Sequence, residues 1–107
     1  MVVNRRVFLQ IWGAMHLACS NDDARAKKEA DDATKAISSA LTKGSPESDI
    51  VAFFRRSGWW FDFGELDQSF AAEVYRSQSH VVTAVVYVDK QRRFLRANVV
   101  TDVLGMP

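Results

Sequence analysis

The chain is short of the residues that most often carry chemistry. One cysteine, Cys19, rules out an internal disulfide and any zinc site built on cysteine pairs. Of the two histidines, His16 and His80, only His80 lies outside an N-terminal apolar stretch. Five glycines are scattered along 107 residues, with no phosphate-cradling glycine loop and no serine elbow among them. No apolar run approaches the roughly 20 residues that span a bilayer. Charge of one sign is missing as well: the formal net charge is +1, and taking away residues 1–18 removes Arg5 and Arg6 and turns it to −1. Such a balance excludes the basic footprint of a nucleic-acid binder. A solitary hydrolase or oxidoreductase has nothing here to work with, and neither a cofactor nor a metal is expected.

What is present is ordinary globular composition, 48% hydrophobic and 25% charged, in a length that allows one small domain. The N-terminal stretch Asn4–Cys19, "NRRVFLQIWGAMHLAC", reads as an address rather than a first helix of the fold. Arg5 and Arg6 supply a positive head, Val7 to Ala18 a short apolar segment, and Ala18 a small residue at the cut. Its apolar residues surround a helix instead of marking one face, and Gly13 weakens the middle. "RRVFLQ" resembles the twin-arginine export consensus, with Phe8 and Leu9 at the positions that follow the arginine pair. "LAC" is similar to the tail of a bacterial lipobox, with His16 where leucine is usual. That resemblance implies a lipoprotein: residues 1–18 a signal peptide, Cys19 acylated with palmitate-type chains as a membrane anchor, and the mature protein held in the periplasm on a bacterial membrane, expected to be the outer one. The general secretory route remains an alternative to the twin-arginine one.

Residues 19–44 follow as an alanine-rich helix. Ala26, Ala30, Ala33, Ile37 and Ala40 recur at 4-3-4-3 spacing on one face, with Gly44 at the end. A stripe so thin buries little area, so the helix is expected either to dock loosely or to act as a stalk between anchor and domain.

Residues 45–107 form the domain proper. Ser45 before Pro46 reads as a helix cap, Ile50, Val51, Phe53 and Phe54 as a buried face, and Gly58 as the stop. "WWFDFG" reads as a short strand or extended connector. The spacing of Leu66, Phe70 and Val74 predicts a second helix over 65–77. "HVVTAVVYV" and "RFLRANVVT", separated by "DKQR", predict a C-terminal β-hairpin, with Leu95, Ala97 and Val99 on one face of its second strand. The sum is an α+β fold: a two-layer domain of short helices packed on a small antiparallel sheet, preceded by the signal segment and the alanine-rich helix.

"GSPESDIVAFF" and "VYVDKQRRFLRANV" are similar to the opening and the strand-turn-strand ending of the small outer-membrane-assembly lipoproteins of the SmpA/OmlA type. The likeness covers about Lys43 to Val100, with the helix expected at 65–77 departing from that pattern. It implies a periplasm-facing scaffold with no catalytic residues to transfer.

Candidate binding residues follow from exposure and charge. Alternation sends Trp59, Phe61 and Phe63 to one face and Trp60 to the other, so a large ring is left for a partner while core packing claims the rest. Trp59, Trp60 and Phe61 are therefore partner-binding candidates. Arg92, Arg93 and Arg96 around the hairpin form a basic patch, either a solvated hairpin end or a contact for anionic lipid phosphate. Asp62, Glu65 and Asp67 are expected to charge-match the second helix rather than chelate a cation, and His80 to be a satisfied or solvent-facing histidine. The function expected is that of an exported, lipid-anchored periplasmic protein, not an enzyme, that binds or scaffolds another envelope protein. The alternative is a small inhibitor or accessory subunit of a larger exported enzyme.

Overall fold

In a computed structural model of the chain, the backbone of residues 18–104 and the side chains from Asn21 onward are described. Arg5, Arg6, Phe8 and Leu9 of the expected export signal lie outside the described residues, and so does the side chain of Cys19, whose backbone belongs to the first turn of a helix. The architecture is α+β: helices α1 (Ala18–Ala40) and α2 (Glu47–Ser57), then strands β1 (Trp60–Gly64), β2 (Ser69–Arg76), β3 (His80–Val88) and β4 (Phe94–Val103). The strands form one antiparallel meander in the order β1-β2-β3-β4. Both helices lie on one face of it.

Helix α1 is docked on the sheet rather than standing off as a stalk. Ala26, Ala33, Ile37 and Leu41 are buried, and the last turn hands the buried face to Leu41 while Ala40 is exposed. Alanines at two contact points let the backbone come close to the strands, so a thin stripe still makes a tight interface. Ile37 and Leu41 belong to the same core as Ile50, Phe54, Phe70, Val86 and Phe94.

Helix α2 begins one residue later than the capping serine suggests. Pro46, extended at φ −72° and ψ 163°, is the N-cap, and Ser45 instead accepts the Thr42 N–H on its Oγ at 3.0 Å. Glu47 and Asp49 in the first turn and Arg55 and Arg56 in the last complement the helix dipole. Gly58 closes it in the left-handed conformation, φ 76°, returning its N–H to the last carbonyls. The loop between the helices is fastened to β4 by two backbone bonds, Gly44 N–H to Phe94 O and Phe94 N–H to Ser45 O, both 2.8 Å.

The helix expected over 65–77 is a turn and a strand. A spacing of four is even, so Leu66, Phe70 and Val74 satisfy the alternation of a strand as well as the pitch of a helix. Pairing with β1 on one side and β3 on the other decides the matter, with Phe70 and Ala72 facing the core. Leu66, placed on the buried face by the helical reading, is fully exposed in the β1–β2 turn. A bulge between Glu73 and Tyr75 then shifts the register so that Tyr75 lies opposite Val82, on the helix side of the sheet.

The C-terminal hairpin is formed as the sequence predicts. Its loop is held by Asp89, whose Oδ1 accepts the N–H groups of Gln91 and Arg93 at 2.9 Å each. A second bulge falls where Tyr87 pairs with Arg96 and Val88 with Phe94. Leu95 is the extra residue there and is 40% exposed, so it does not share a face with Ala97 and Val99 as strict alternation required.

Candidate functional site

Six aromatic side chains crowd the β1 end of the core. Phe54 is fully buried, with Phe61 at 5.1 Å, Phe70 at 5.8 Å and Trp59 at 6.2 Å between ring centroids, and Trp59 meets Phe53 edge-on at 5.3 Å. Phe63 stacks edge-on with Phe70 at 4.8 Å. Two of the aromatic candidates, Trp59 and Phe61, are thus packing residues.

Trp60 is different. It pairs with Glu73 across the β1–β2 ladder and points to the sheet face without helices, where it is 71% exposed. Beside it lies a shallow depression of about 370 Å³ lined by Ala71, Glu73, Arg76, Val81 and Thr83. Small side chains at Ala71 and Thr83 keep its floor low, while Glu73 and Arg76 form an ion pair at its rim. An exposed indole next to a shallow, mostly apolar hollow with paired charges at its edge is the composition of a protein-contact surface.

The three arginines of the hairpin end separate. Arg92 stands over the Phe63 ring at 4.0 Å and reaches Glu47 and Glu65, each at 3.1 Å, so it clamps the hairpin loop to α2 and to the β1–β2 turn. Arg96 lies over Tyr87, its cross-strand neighbour, at 3.9 Å. Arg93 makes no ion pair among the described residues and is exposed. The three side chains do not converge on a common point.

Of the carboxylates expected to serve a second helix, Glu65 binds Arg92 and Asp62 accepts the Phe63 N–H at 2.8 Å. No group of metal-ligating side chains occurs among the described residues.

The cluster that sequence reasoning missed lies beneath the start of α1. Asp22 accepts the hydroxyls of Tyr75 at 2.8 Å, of Ser77 at 2.7 Å and of Ser79. His80, 6% exposed, places Nδ1 2.7 Å from Ser79 Oγ and 3.3 Å from Asp22, and Nε2 3.1 Å from Asp23. The hydroxyl donors, led by Ser79 and followed by Ser77 and Tyr75, hold the Asp22 carboxyl well below the usual carboxylate range. The same bond pushes the Tyr75 phenol up. Serine, histidine and aspartate side by side have the composition of a nucleophile relay. Here, though, the Ser79 hydroxyl is spent on Asp22 and the ring is covered by the helix, so the arrangement ties the first turns of α1 to the β2–β3 turn. Asp22 and His80 are 58 residues apart, and no local spacing signals their meeting.

A second groove, about 510 Å³, runs between the C-terminal half of α1 and β4. Ile37, Leu41, Phe94 and Val99 form its apolar wall, and Lys43 stands at its rim. No protein-family model, no characterised protein and no solved structure matches this chain.

Proposed function

We propose that this chain is an exported, lipid-anchored protein of the bacterial envelope, whose helix-free sheet face binds and scaffolds another envelope protein from the periplasmic side without catalysing a reaction. The observation that carries the binding part is Trp60. A domain this small needs its large rings inside, and it uses Phe53, Phe54 and Phe70 that way while leaving an indole 71% exposed beside a shallow hollow. The export part is supported by the arginine pair, the short apolar segment and Cys19 behind it.

The reading is tested in two steps. Intact mass of the protein from membrane and soluble fractions of a Gram-negative host, beside Cys19→Ala, is expected to show a chain starting at acylated Cys19 that leaves the membrane in the variant. A full-length, unmodified chain in the cytoplasm would overturn it. A photo-crosslinker at position 60 is then expected to capture one envelope protein, and one at exposed Leu66 to capture none. Capture of a single exported enzyme in stoichiometric amount would replace scaffolding by an accessory-subunit role.

A further inference from the structure

Of the large hydrophobic side chains left exposed, three lie on one strand: Leu95 at 40%, Val100 at 36% and Val103 at 68%, all on β4. That strand is the longest in the sheet and stands at its edge. Its first residue is covered, because Phe94 bonds to Gly44 and Ser45. Beyond Phe94 the edge runs without proline or lysine, the usual means of blunting one.

The direction of its free backbone groups follows from the register. Leu104 N–H donates to Ser79 O at 2.7 Å, continuing the ladder in which Val103 faces His80. In an antiparallel pair alternate residues turn both backbone groups to the same neighbour. The even-numbered residues of this stretch therefore bond to β3, and Ala97, Val99, Thr101 and Val103 turn their N–H and C=O groups to the open side.

The geometry points to a second copy of this chain as the occupant of that edge, its β4 antiparallel to this one about a two-fold axis at Val99. The charges select the register. With Val99 opposite Val99, Arg96 falls directly opposite Asp102 of the second copy, twice over, and both are exposed on the helix-free face. Asp102 makes no ion pair among the described residues of its own chain. Moving the axis by one residue either way keeps the ladder but sets Arg96 against Val100 or Leu104. In the charge-matched register Val103, on the helix side, comes level with the bulge at Leu95 of the second copy, next to the groove walled by Ile37, Leu41 and Phe94. The most exposed valine of one copy is thereby brought to the apolar hollow of the other, and two four-stranded sheets become one continuous sheet.

Sedimentation of the full chain as the host delivers it tests this, with Cys19→Ala in every form so that neither acylation nor oxidation at that thiol joins two copies. Between roughly 1 μM and 1 mM the protein is expected to pass from monomer to dimer. Arg96→Asp or Asp102→Arg alone places like charges opposite each other at both ends of the seam and should weaken the dimer about tenfold or more. The double variant Arg96→Asp/Asp102→Arg should recover most of the loss. Both side chains are exposed, so each form should melt as a folded protein, and the double variant lacks the Arg96–Tyr87 contact just as Arg96→Asp alone does. A monomer throughout the range, single variants that associate as tightly as the parent, or a double variant no tighter than the weaker single would each overturn the proposal.

Discussion

Replacing Ile37 by alanine measures whether α1 belongs to the cooperative fold. The side chain is 3% exposed and sits in the core with Leu41 and Phe94. Three methyl or methylene groups are removed, at about 0.8 kcal/mol each for transfer, which gives about 2.4 kcal/mol before any cavity is counted. Buried Ile→Ala changes span about 2–5 kcal/mol, the spread reflecting how well a site collapses. Here the groove beside β4 gives the surroundings room to relax, which places the cost in the lower half of that span. Alanine also gains a few tenths of a kcal/mol in helix propensity over isoleucine. The net expectation is a loss of about 2–3 kcal/mol, or a melting point lower by roughly 10–20 °C at about 4–8 °C per kcal/mol for a domain of this size.

Urea unfolding followed by circular dichroism reads this directly, with an unchanged slope against denaturant showing that one transition is still being measured. Ala26→Leu approaches the same question from the other side. Ala26 has no exposed surface, so the three added carbons are not accommodated and overpacking should cost about 1–3 kcal/mol. A free-standing helix would answer both changes within about 0.5 kcal/mol, as exposed sites do. That result, in either variant, would refute the docking argument.

Acid should loosen α1 first. Asp22 has a folded-state pKa depressed below its unfolded one, so its contribution is complete above the unfolded value of about 3.9 and drains away as pH falls below it. Hydrogen exchange is expected to show the first turns of α1 keeping their protection from about pH 6 down to about pH 4 and losing it progressively below, and Asp22→Asn should abolish that pH dependence; equal protection at about pH 6 and about pH 3 would count against the tie. At the hairpin end, Arg92→Ala should cost about 1–2 kcal/mol, from one cation–π contact and two partly exposed ion pairs, whereas Arg93→Ala should stay within about 0.5 kcal/mol in thermal unfolding. Arg92→Gly should be no worse than Arg92→Ala, because the φ of 60° at this position suits glycine.

The elements with a single period were legible in the sequence. The hairpin was written in β-branched runs, α2 in Ile50, Phe53 and Phe54 between Pro46 and Gly58, and the division between Trp60 and its neighbours Trp59 and Phe61 followed from strand alternation. Where two periods coincide the residues are mute, as at Leu66, Phe70 and Val74. Bulges are equally silent: nothing around Glu73 or Leu95 announces the extra residue that turns Tyr75 toward α1 or pushes Leu95 outward. The docking of α1 was half legible, since alanine at a close contact and alanine on a solvated stalk look the same until the facing strand is known. The Asp22 cluster was not legible, because it joins polar residues of ordinary type across more than 50 positions of chain.

Strand order carries the remaining consequence. In a meander the first and last strands are the two edges, so Trp60 on β1 and the open backbone of β4 stand at opposite sides of the sheet. A partner seated at Trp60 and a second copy paired along the β4 edge therefore do not compete for the same strand. Joined at β4, two domains would present two Trp60 surfaces on one continuous sheet, and a partner with two matching sites would gain from the second through effective concentration rather than new contacts. The two activities separate by mutation: Trp60→Ala should leave the monomer–dimer equilibrium unchanged, and Arg96→Asp should leave binding at a single Trp60 site unchanged while weakening only the capture of a bivalent partner.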